Sequence, residues 1–279
     1  MFYFWTLPTR SNYTKLLTLP EIFYGLKSLT ESELSDLDRA HRRLKECENC
    51  SKKYCNKATE KFRRPLIRKE KGRLKIETVL CEVWLNEYFE EQCQLSGIPL
   101  KYARRTFEDY EITAENEQAI RLARWFLADK RKKGLYLYGG AGTGKTFLAS
   151  LIAREYVLNA KSIVFGDVPL LLSELKRTFN NPAQSTEGLI DRYNNCKLLV
   201  LDDIGAGQIT EWNTGILYQI VNNRYNSGKL TIATSNYDLD GLERKLSKVD
   251  DLSGKRITSR LSEMCCLGFL GTKDRRNKS

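Results

Sequence analysis

The stretch Tyr136-Leu-Tyr-Gly-Gly-Ala-Gly-Thr-Gly-Lys-Thr146 decides how this chain is read. From Gly139 to Thr146 it meets every fixed position of the pattern G-x-x-x-x-G-K-[ST]. A short β-like run, Leu135 to Tyr138, precedes it. A helical pattern follows, with Phe147, Leu148, Leu151 and Ile152 on one face. Gly139, Gly140, Gly142 and Gly144, with the small Ala141 and Thr143 between them, let backbone N–H groups turn inward around phosphate oxygens. The helix that starts where the loop ends points its positive end at the same place. Lys145 then reaches the β- and γ-phosphates of a nucleotide, Thr146 holds Mg²⁺, and Phe147 lies just beyond the loop. An ordinary glycine-rich turn is the competing reading, and it does not call for all fixed positions and both flanks at once.

Working outward, a chain of 279 residues with 41% hydrophobic content has room for about two domains with real cores. No run of about 18 apolar residues occurs, so no membrane span is expected. The opening Met-Phe-Tyr-Phe-Trp-Thr-Leu-Pro is apolar for too short a stretch and lacks a basic start, so it does not read as a signal peptide. A cytoplasmic setting is expected. There the eight cysteines read as thiols or metal ligands rather than disulfides. The net charge of +11 is localised: Arg42 to Lys75 holds 14 Lys/Arg against 4 Glu, a local excess of +10. Such a patch attracts nucleic acid or an acidic protein face, or it is a solvated surface that partly balances metal-bound thiolates.

In the same segment Cys47-Glu-Asn-Cys50 has the knuckle spacing by which two thiolates grip one tetrahedral Zn²⁺, with Cys55 close by and Cys81 further on. Cys55 and Cys81 complete a Cys₄ set. His41, the single histidine, and Cys93 are alternatives for the fourth ligand. Four protein ligands leave no open position, so the metal is structural, a staple for a module too small to bury much. Before it, Thr30-Glu-Ser-Glu reads as the capped start of a helix. After it, Leu74 to Val83 alternates as a strand or short hairpin, and a helix over 83–93 follows. Ser96-Gly97-Ile98-Pro99 then breaks the pattern and marks a domain junction, with domains 1–95 and 96–279.

From Phe107 onward helical and β runs alternate. Helices are expected over 116–130, 168–179, 188–193 and 212–226, and strands over 161–165, 197–203, 229–235 and 264–270. This implies an α/β domain, a parallel sheet covered by helices on both faces. The strand Leu198-Leu-Val-Leu-Asp-Asp203 delivers two carboxylates to the sheet's C-terminal edge, Asp202 toward Mg²⁺ and Asp203 toward an attacking water. The strand Leu230-Thr-Ile-Ala-Thr-Ser-Asn236 ends in a polar trio, from which Asn236 is placed to orient water.

Taken together, the phosphate loop, the Asp202-Asp203 pair, Thr-Ser-Asn236 and Arg256-Ile-Thr-Ser-Arg260-Leu261 resemble AAA+ ATPases of the bacterial helicase-loader kind, the DnaC/DnaI group, whose close relatives are the IstB transposition helpers. Gly97-Ile-Pro-Leu-Lys-Tyr-Ala-Arg-Arg-Thr-Phe107 resembles the segment that opens the ATPase domain in these proteins, and Thr272-Lys-Asp-Arg275-Arg276 resembles their terminal sensor-two segment. The N-terminal cysteines with Pro65-Leu66 and Lys71-Gly-Arg-Leu74 resemble the zinc-bearing, helicase-binding domain of the DnaI type.

The resemblance implies an AAA+ domain over 96–279 behind a small zinc-binding α+β domain, with ATP, Mg²⁺ and Zn²⁺ as cofactors. It implies sensor one at Asn236 and an arginine finger at Arg260, with Arg256 beside it, reaching a neighbouring copy's ATP on self-association. It places sensor two at Arg275, with Arg276 close enough to exchange places. Lys176, Arg177 and Phe179, in a segment resembling the loader's DNA-contacting helix, are implied to touch single-stranded DNA. The implied partner is a hexameric replicative helicase. Where many AAA+ ATPases carry Asp-Glu, this chain has Asp202-Asp203, so slow hydrolysis is expected. Two other readings compete: an IstB-type helper acting on a transposase, and a zinc-dependent nucleic-acid-binding module whose ATPase domain is a regulatory scaffold. A small-molecule kinase is disfavoured, since no acceptor-site motif is present.

Overall fold

The computed structural model describes residues 63–70, 73–80, 89–128, 133–159, 161–179 and 186–276. Internal contacts divide the chain into two units, Met1–Glu91 and Gln92–Ser279. The expected helix at Thr30 and the candidate zinc ligands Cys47, Cys50, Cys55, Cys81 and His41 lie outside the described residues, as do 83–88 of the helix expected after them.

In the first unit, β1 (Arg63–Glu70) runs antiparallel to β2 (Arg73–Leu80), with Arg63 opposite Leu80 and Glu70 opposite Arg73. Only the second strand was legible. Its partner reads Arg-Arg-Pro-Leu-Ile-Arg-Lys-Glu, where a proline and four cations hide any apolar alternation. α1 (Phe89–Leu95) carries the chain across the division.

The second unit is built on five parallel strands in the order β4-β5-β6-β3-β7: β3 (Gly134–Tyr138), β4 (Ile163–Asp167), β5 (Leu198–Ile204), β6 (Leu230–Ser235) and β7 (Cys265–Phe269). α2 (Leu100–Ala103) and α3 (Glu117–Ala128) precede these strands, and between them run α4 (Lys145–Leu158), α5 (Val168–Phe179), α6 (Thr186–Asn195), α7 (Glu211–Asn226), α8 (Leu239–Leu246) and α9 (Asp251–Met264). α2, α3 and α4 pack together on one side, and α5, α6, α7, α8 and α9 make the other layer.

The pleat sorts the strands' side chains between these layers. Tyr136, Val164, Leu199, Leu201, Ala233 and Cys265 join Leu171, Leu175, Leu217, Ile220, Leu242, Ile257 and Leu261 in one core. Leu135, Leu137, Leu198, Val200 and Ile232 are equally buried and alternate with them along the same strands. Since both faces are covered, the strands read as apolar runs rather than alternating ones. The helix expected to be apolar on one face behaves differently. In α4, Ser150, Ala153 and Arg154 are buried along with Leu148, Leu151 and Ile152, because the sheet lies on one side and α2 and α3 on the other.

Two devices hold this unit's ends. The Phe165 N–H donates to the Ser96 carbonyl (2.7 Å), tying the incoming chain to β4. Gly97 makes this approach possible: its φ is 83° and any side chain there would strike the Phe165 carbonyl. The second is Arg224, fully buried on α7. Its guanidinium donates to the carbonyls of Tyr193 (2.7 Å), Asn194 (3.2 Å) and Cys196 (3.3 Å) at the end of α6, and its Nε donates to Thr231 Oγ1 (3.0 Å) on β6. A cation at a helix C-terminus answers the carbonyls that the helix leaves unpaired. No helix among the described residues is long and apolar enough to cross a membrane.

Candidate phosphate-binding site

β3 ends at Tyr138 and α4 begins at Lys145, so the glycine-rich loop spans the C-terminal edge of the sheet. Gly139, Gly142 and Gly144 take φ values of 146°, 73° and 94°, conformations that side-chain-bearing residues rarely adopt. Gly139 and Gly140 also lie against the backbone of Gly271 and Thr272, leaving no room for a Cβ. Tyr110 braces the loop from outside, its hydroxyl donating to the Gly144 carbonyl (3.3 Å). Phe147, in the first turn of α4, is stacked on Tyr102 (ring centroids 4.8 Å apart) and tilted against Tyr110 (5.3 Å).

Lys145 is 7% exposed. Its Nζ donates to the carbonyls of Gly139 (2.9 Å) and Gly140 (2.7 Å) and to Asn236 Oδ1 (2.8 Å). Burial pulls its pKa below the usual lysine range, while Asp203 and Asp202 push the other way. The ammonium is thus buried and held by neutral oxygens, an arrangement that suits an incoming polyanion.

Thr146 Oγ1 donates to Asp202 Oδ1 (3.1 Å), and Thr234 Oγ1 donates to the same oxygen (2.6 Å). Burial raises the Asp202 pKa, opposed by these two hydroxyls. Asp167, opposite Asp202 on β4, adds a third acid and pushes both Asp202 and Asp203 upward. A hydroxyl beside a buried carboxylate, with more negative charge at hand, is the hard-oxygen donor set that fits Mg²⁺.

Asp203 is the one non-glycine among the described residues with positive φ, at 61°. The β5–β6 register shifts between Leu201 and Ile204, a bulge that re-aims the two acids. Thr234 holds the flipped residue, accepting from the Asp203 N–H (2.8 Å), while Asn236 Nδ2 donates to Asp203 Oδ1 (3.3 Å). Backbone strain of this kind persists where surrounding bonds over-determine it, and it gathers at functional sites. Burial also raises the Asp203 pKa, offset chiefly by Lys145.

Three strands thus bring Lys145, Thr146, Asp202, Asp203 and Asn236 into one bonded network. The chain belongs to the IstB-like ATP-binding proteins, whose family pattern matches residues 86–265. The IstB-like chain is 33% identical over 198 residues to the replicative helicase loader DnaC of Buchnera aphidicola subsp. Baizongia pistaciae, covering 69% of this chain and 76% of that one. It is 24% identical over 268 residues to the replicative helicase loader DnaI of Bacillus subtilis, covering 90% and 85%. The crystal structure of a DnaI superposes with a TM-score of 0.54 at 28% identity, covering 61% of this chain and 93% of that one. The fold is AAA+ P-loop-like, and the nucleotide-binding family it belongs to carries ATP.

Other expected residues of this IstB-like chain lie apart from the network. Arg260 donates from Nε to Asn222 Oδ1 (2.7 Å) and lies over the rings of Tyr218 (5.2 Å) and Tyr225 (5.6 Å); Arg256 lies over Tyr218 (5.7 Å). Both arginines rest on a face built by α7 and α9. Lys176 and Arg177 are exposed in the last turn of α5, while their neighbours Leu175 and Thr178 point inward. Arg275 donates to the Glu111 carbonyl (3.2 Å), Thr113 Oγ1 (3.1 Å) and the Leu270 carbonyl (3.3 Å). Among the described residues no three or more histidine, cysteine or acidic side chains are grouped so that together they could hold a metal ion.

Sequence reasoning missed Thr234 and Tyr110. Thr234 had a signal: it sits two residues before Asn236, on the same side of the strand. Tyr110 had none, because only the tertiary fold brings it to the loop.

Proposed function

We propose that this chain is an ATP-dependent loader that binds a replicative DNA helicase and helps place it on single-stranded DNA. The observation that carries the reading is the convergence of Lys145, Thr146, Asp202, Asp203 and Asn236 in a chain whose curated relatives are replicative helicase loaders. A transposition helper, which the family's name also suggests, has less support, since relatives matching most of the chain are loaders.

Bound Mg²⁺·ATP supplies the transferable phosphoryl group and a divalent charge against its oxygens. Around it the loop amides and Lys145 bind phosphate, Thr146 and Asp202 hold the cation, and Asp203 and Asn236 orient water. The chain is then an ATPase, and a slow one, because the shorter carboxylate of Asp203 stands farther from the water than a glutamate would. Arg260, with Arg256, serves a neighbouring copy, so hydrolysis depends on self-association through the AAA+ domain. Lys176, Arg177 and Phe179 contact single-stranded DNA, cations to phosphate and ring to base. Domain 1–95 grips the helicase and carries Zn²⁺ on Cys47, Cys50, Cys55 and Cys81; the thiolate spacing supports this. Domain 96–279 is the switch.

The test is a pull-down of the full chain and of fragments 1–95 and 96–279 on a purified replicative helicase, with zinc quantified. Helicase capture by the full chain and by 1–95, with about one zinc per chain, supports the loader. If neither fragment nor the full chain captures helicase, the loader reading fails and transposases become the next partners to try.

A further inference from the structure

β6 ends at Ser235, and the chain leaves it through Asn236 and Tyr237. Asn236 touches two groups of the site at once, accepting from Lys145 Nζ (2.8 Å) and donating to Asp203 Oδ1 (3.3 Å). The sheet ladder stops at Ser235, which is paired with Tyr138 on one side and Ile204 on the other. Beyond that point the aim of Asn236 depends on how its two neighbours are held. Both are pinned to other strands. Ser235 Oγ donates to the Ile204 carbonyl at the end of β5 (2.7 Å) and accepts from the Tyr237 N–H (3.2 Å). The Tyr237 carbonyl accepts from the hydroxyl of Tyr136 on β3 (2.8 Å), 101 residues away in sequence. Tyr136 is fully buried, and burial pushes its pKa far above the usual tyrosine range, so the hydroxyl stays protonated and keeps donating. The far end of Tyr237 is held as well. Its own hydroxyl accepts from Lys245 Nζ on α8 (2.9 Å), and its ring lies beside Gly205, two residues beyond Asp203.

We propose that Tyr136 is a positioning residue for hydrolysis, fixing Asn236 between Lys145 and Asp203 by holding the chain immediately after it. Ser235 is the second pin. A phenylalanine would fill the same core space, so the ring accounts for packing and the oxygen accounts for position. The bond from Tyr136 crosses from β3 to the turn after β6, and the bond from Ser235 crosses from that turn to β5. The strands that carry Lys145, Asp203 and Asn236 are thereby locked together at the level of the site. A displacement of about 1 Å at a reacting centre can cost roughly 100-fold in rate. A turn that keeps Ser235 and Lys245 moves less, so losing the Tyr136 hydroxyl should cost about tenfold. This inference rests on the ATPase reading of the site.

The experiment compares Tyr136→Phe with wild type in the full chain, by affinity for a fluorescent ATP analogue and by single-turnover hydrolysis at saturating ATP. Affinity should stay within about twofold, because Lys145 and the loop are untouched, while hydrolysis falls about tenfold. The same change is then made in an Asn236→Ala chain. There it should slow hydrolysis by less than about twofold, since the residue it positions is gone. If the Tyr136 hydroxyl merely stabilised the fold, the two losses would multiply, or melting would drop with hydrolysis unchanged; either result overturns the proposal. Ser235→Ala should reproduce the signature of Tyr136→Phe and decides the matter if that variant does not fold: unchanged hydrolysis by Ser235→Ala overturns the proposal too. Failure of the wild-type chain to bind the analogue or to turn over ATP, or full binding by Lys145→Ala, instead overturns the ATPase reading itself.

Discussion

Thr234→Val removes one hydroxyl and keeps the shape of the side chain. That hydroxyl is 1% exposed as a residue, donates to Asp202 Oδ1 at 2.6 Å and accepts from the Asp203 N–H at 2.8 Å. Valine supplies neither bond. The Asp202 carboxylate keeps only the 3.1 Å bond from Thr146, and the Asp203 amide loses its partner in a chain held at φ 61°. A charge-assisted bond and a buried amide together cost about 3 kcal/mol to leave unmade. For a unit of this size that is a fall of roughly 6–12 °C in melting temperature. Function should suffer in a particular way. Lys145 and the loop glycines are untouched, so ATP binding persists, while hydrolysis falls because Asp203 is no longer held in its flipped conformation. Thr234→Ser, which retains the hydroxyl, should recover most of both. The assays are a thermal melt without nucleotide and single-turnover hydrolysis with saturating ATP. A valine variant with unchanged melting and unchanged hydrolysis would show that Thr234 does not support the acids.

Three further outcomes are expected. Arg224→Ala leaves the carbonyls of Tyr193, Asn194 and Cys196 without their shared donor and empties a large buried volume, so urea denaturation should show a loss of about 3–5 kcal/mol. Asp203→Asn removes a half-buried charge and keeps a residue type that tolerates positive φ. Its melting temperature should hold or rise while steady-state hydrolysis drops, and a variant that hydrolyses normally would remove Asp203 from the water-handling role. Arg260→Ala gives up its bond to Asn222 and its stacking on Tyr218 and Tyr225, which is a partly exposed arrangement. ATP affinity should stay within about twofold, a change under half a kcal/mol, while the rise of hydrolysis rate with protein concentration should disappear.

Much of the candidate phosphate-binding site was legible because its requirements are local. A glycine-rich loop needs left-handed φ at set positions, a strand before it and a helix after it, and all of these are properties of consecutive residues between Leu135 and Ile152. The parallel sheet was legible for a related reason: strands buried on both faces must be continuously apolar, as Leu198 to Leu201 are. β1 was illegible since its cations and Pro65 satisfy no apolar period. The helices over 239–246 and 251–264 have their own caps in Asp238 and Asp250, whose side chains accept from Gly241 (2.7 Å) and Ser253 (2.9 Å), but their sparse apolar residues gave a weak period beside the motifs.

Sequence alone thus singled out the groups that converge in the candidate site: a glycine-rich loop, a paired acid at a strand end, and an amide at the next strand end. Tertiary structure alone decided how those groups meet. Strand order puts β6 between β5 and β3, so Thr234 reaches Asp202 and Asn236 reaches Lys145 across neighbouring strands. The bulge in β5 turns Asp203 over, and the return of the chain after β7 lays Asp274 and Arg276 on the loop. Sequence separation hides such meetings, because pairing between distant residues is set by the packing of whole elements, and no local pattern of hydrophobicity or turn chemistry encodes it.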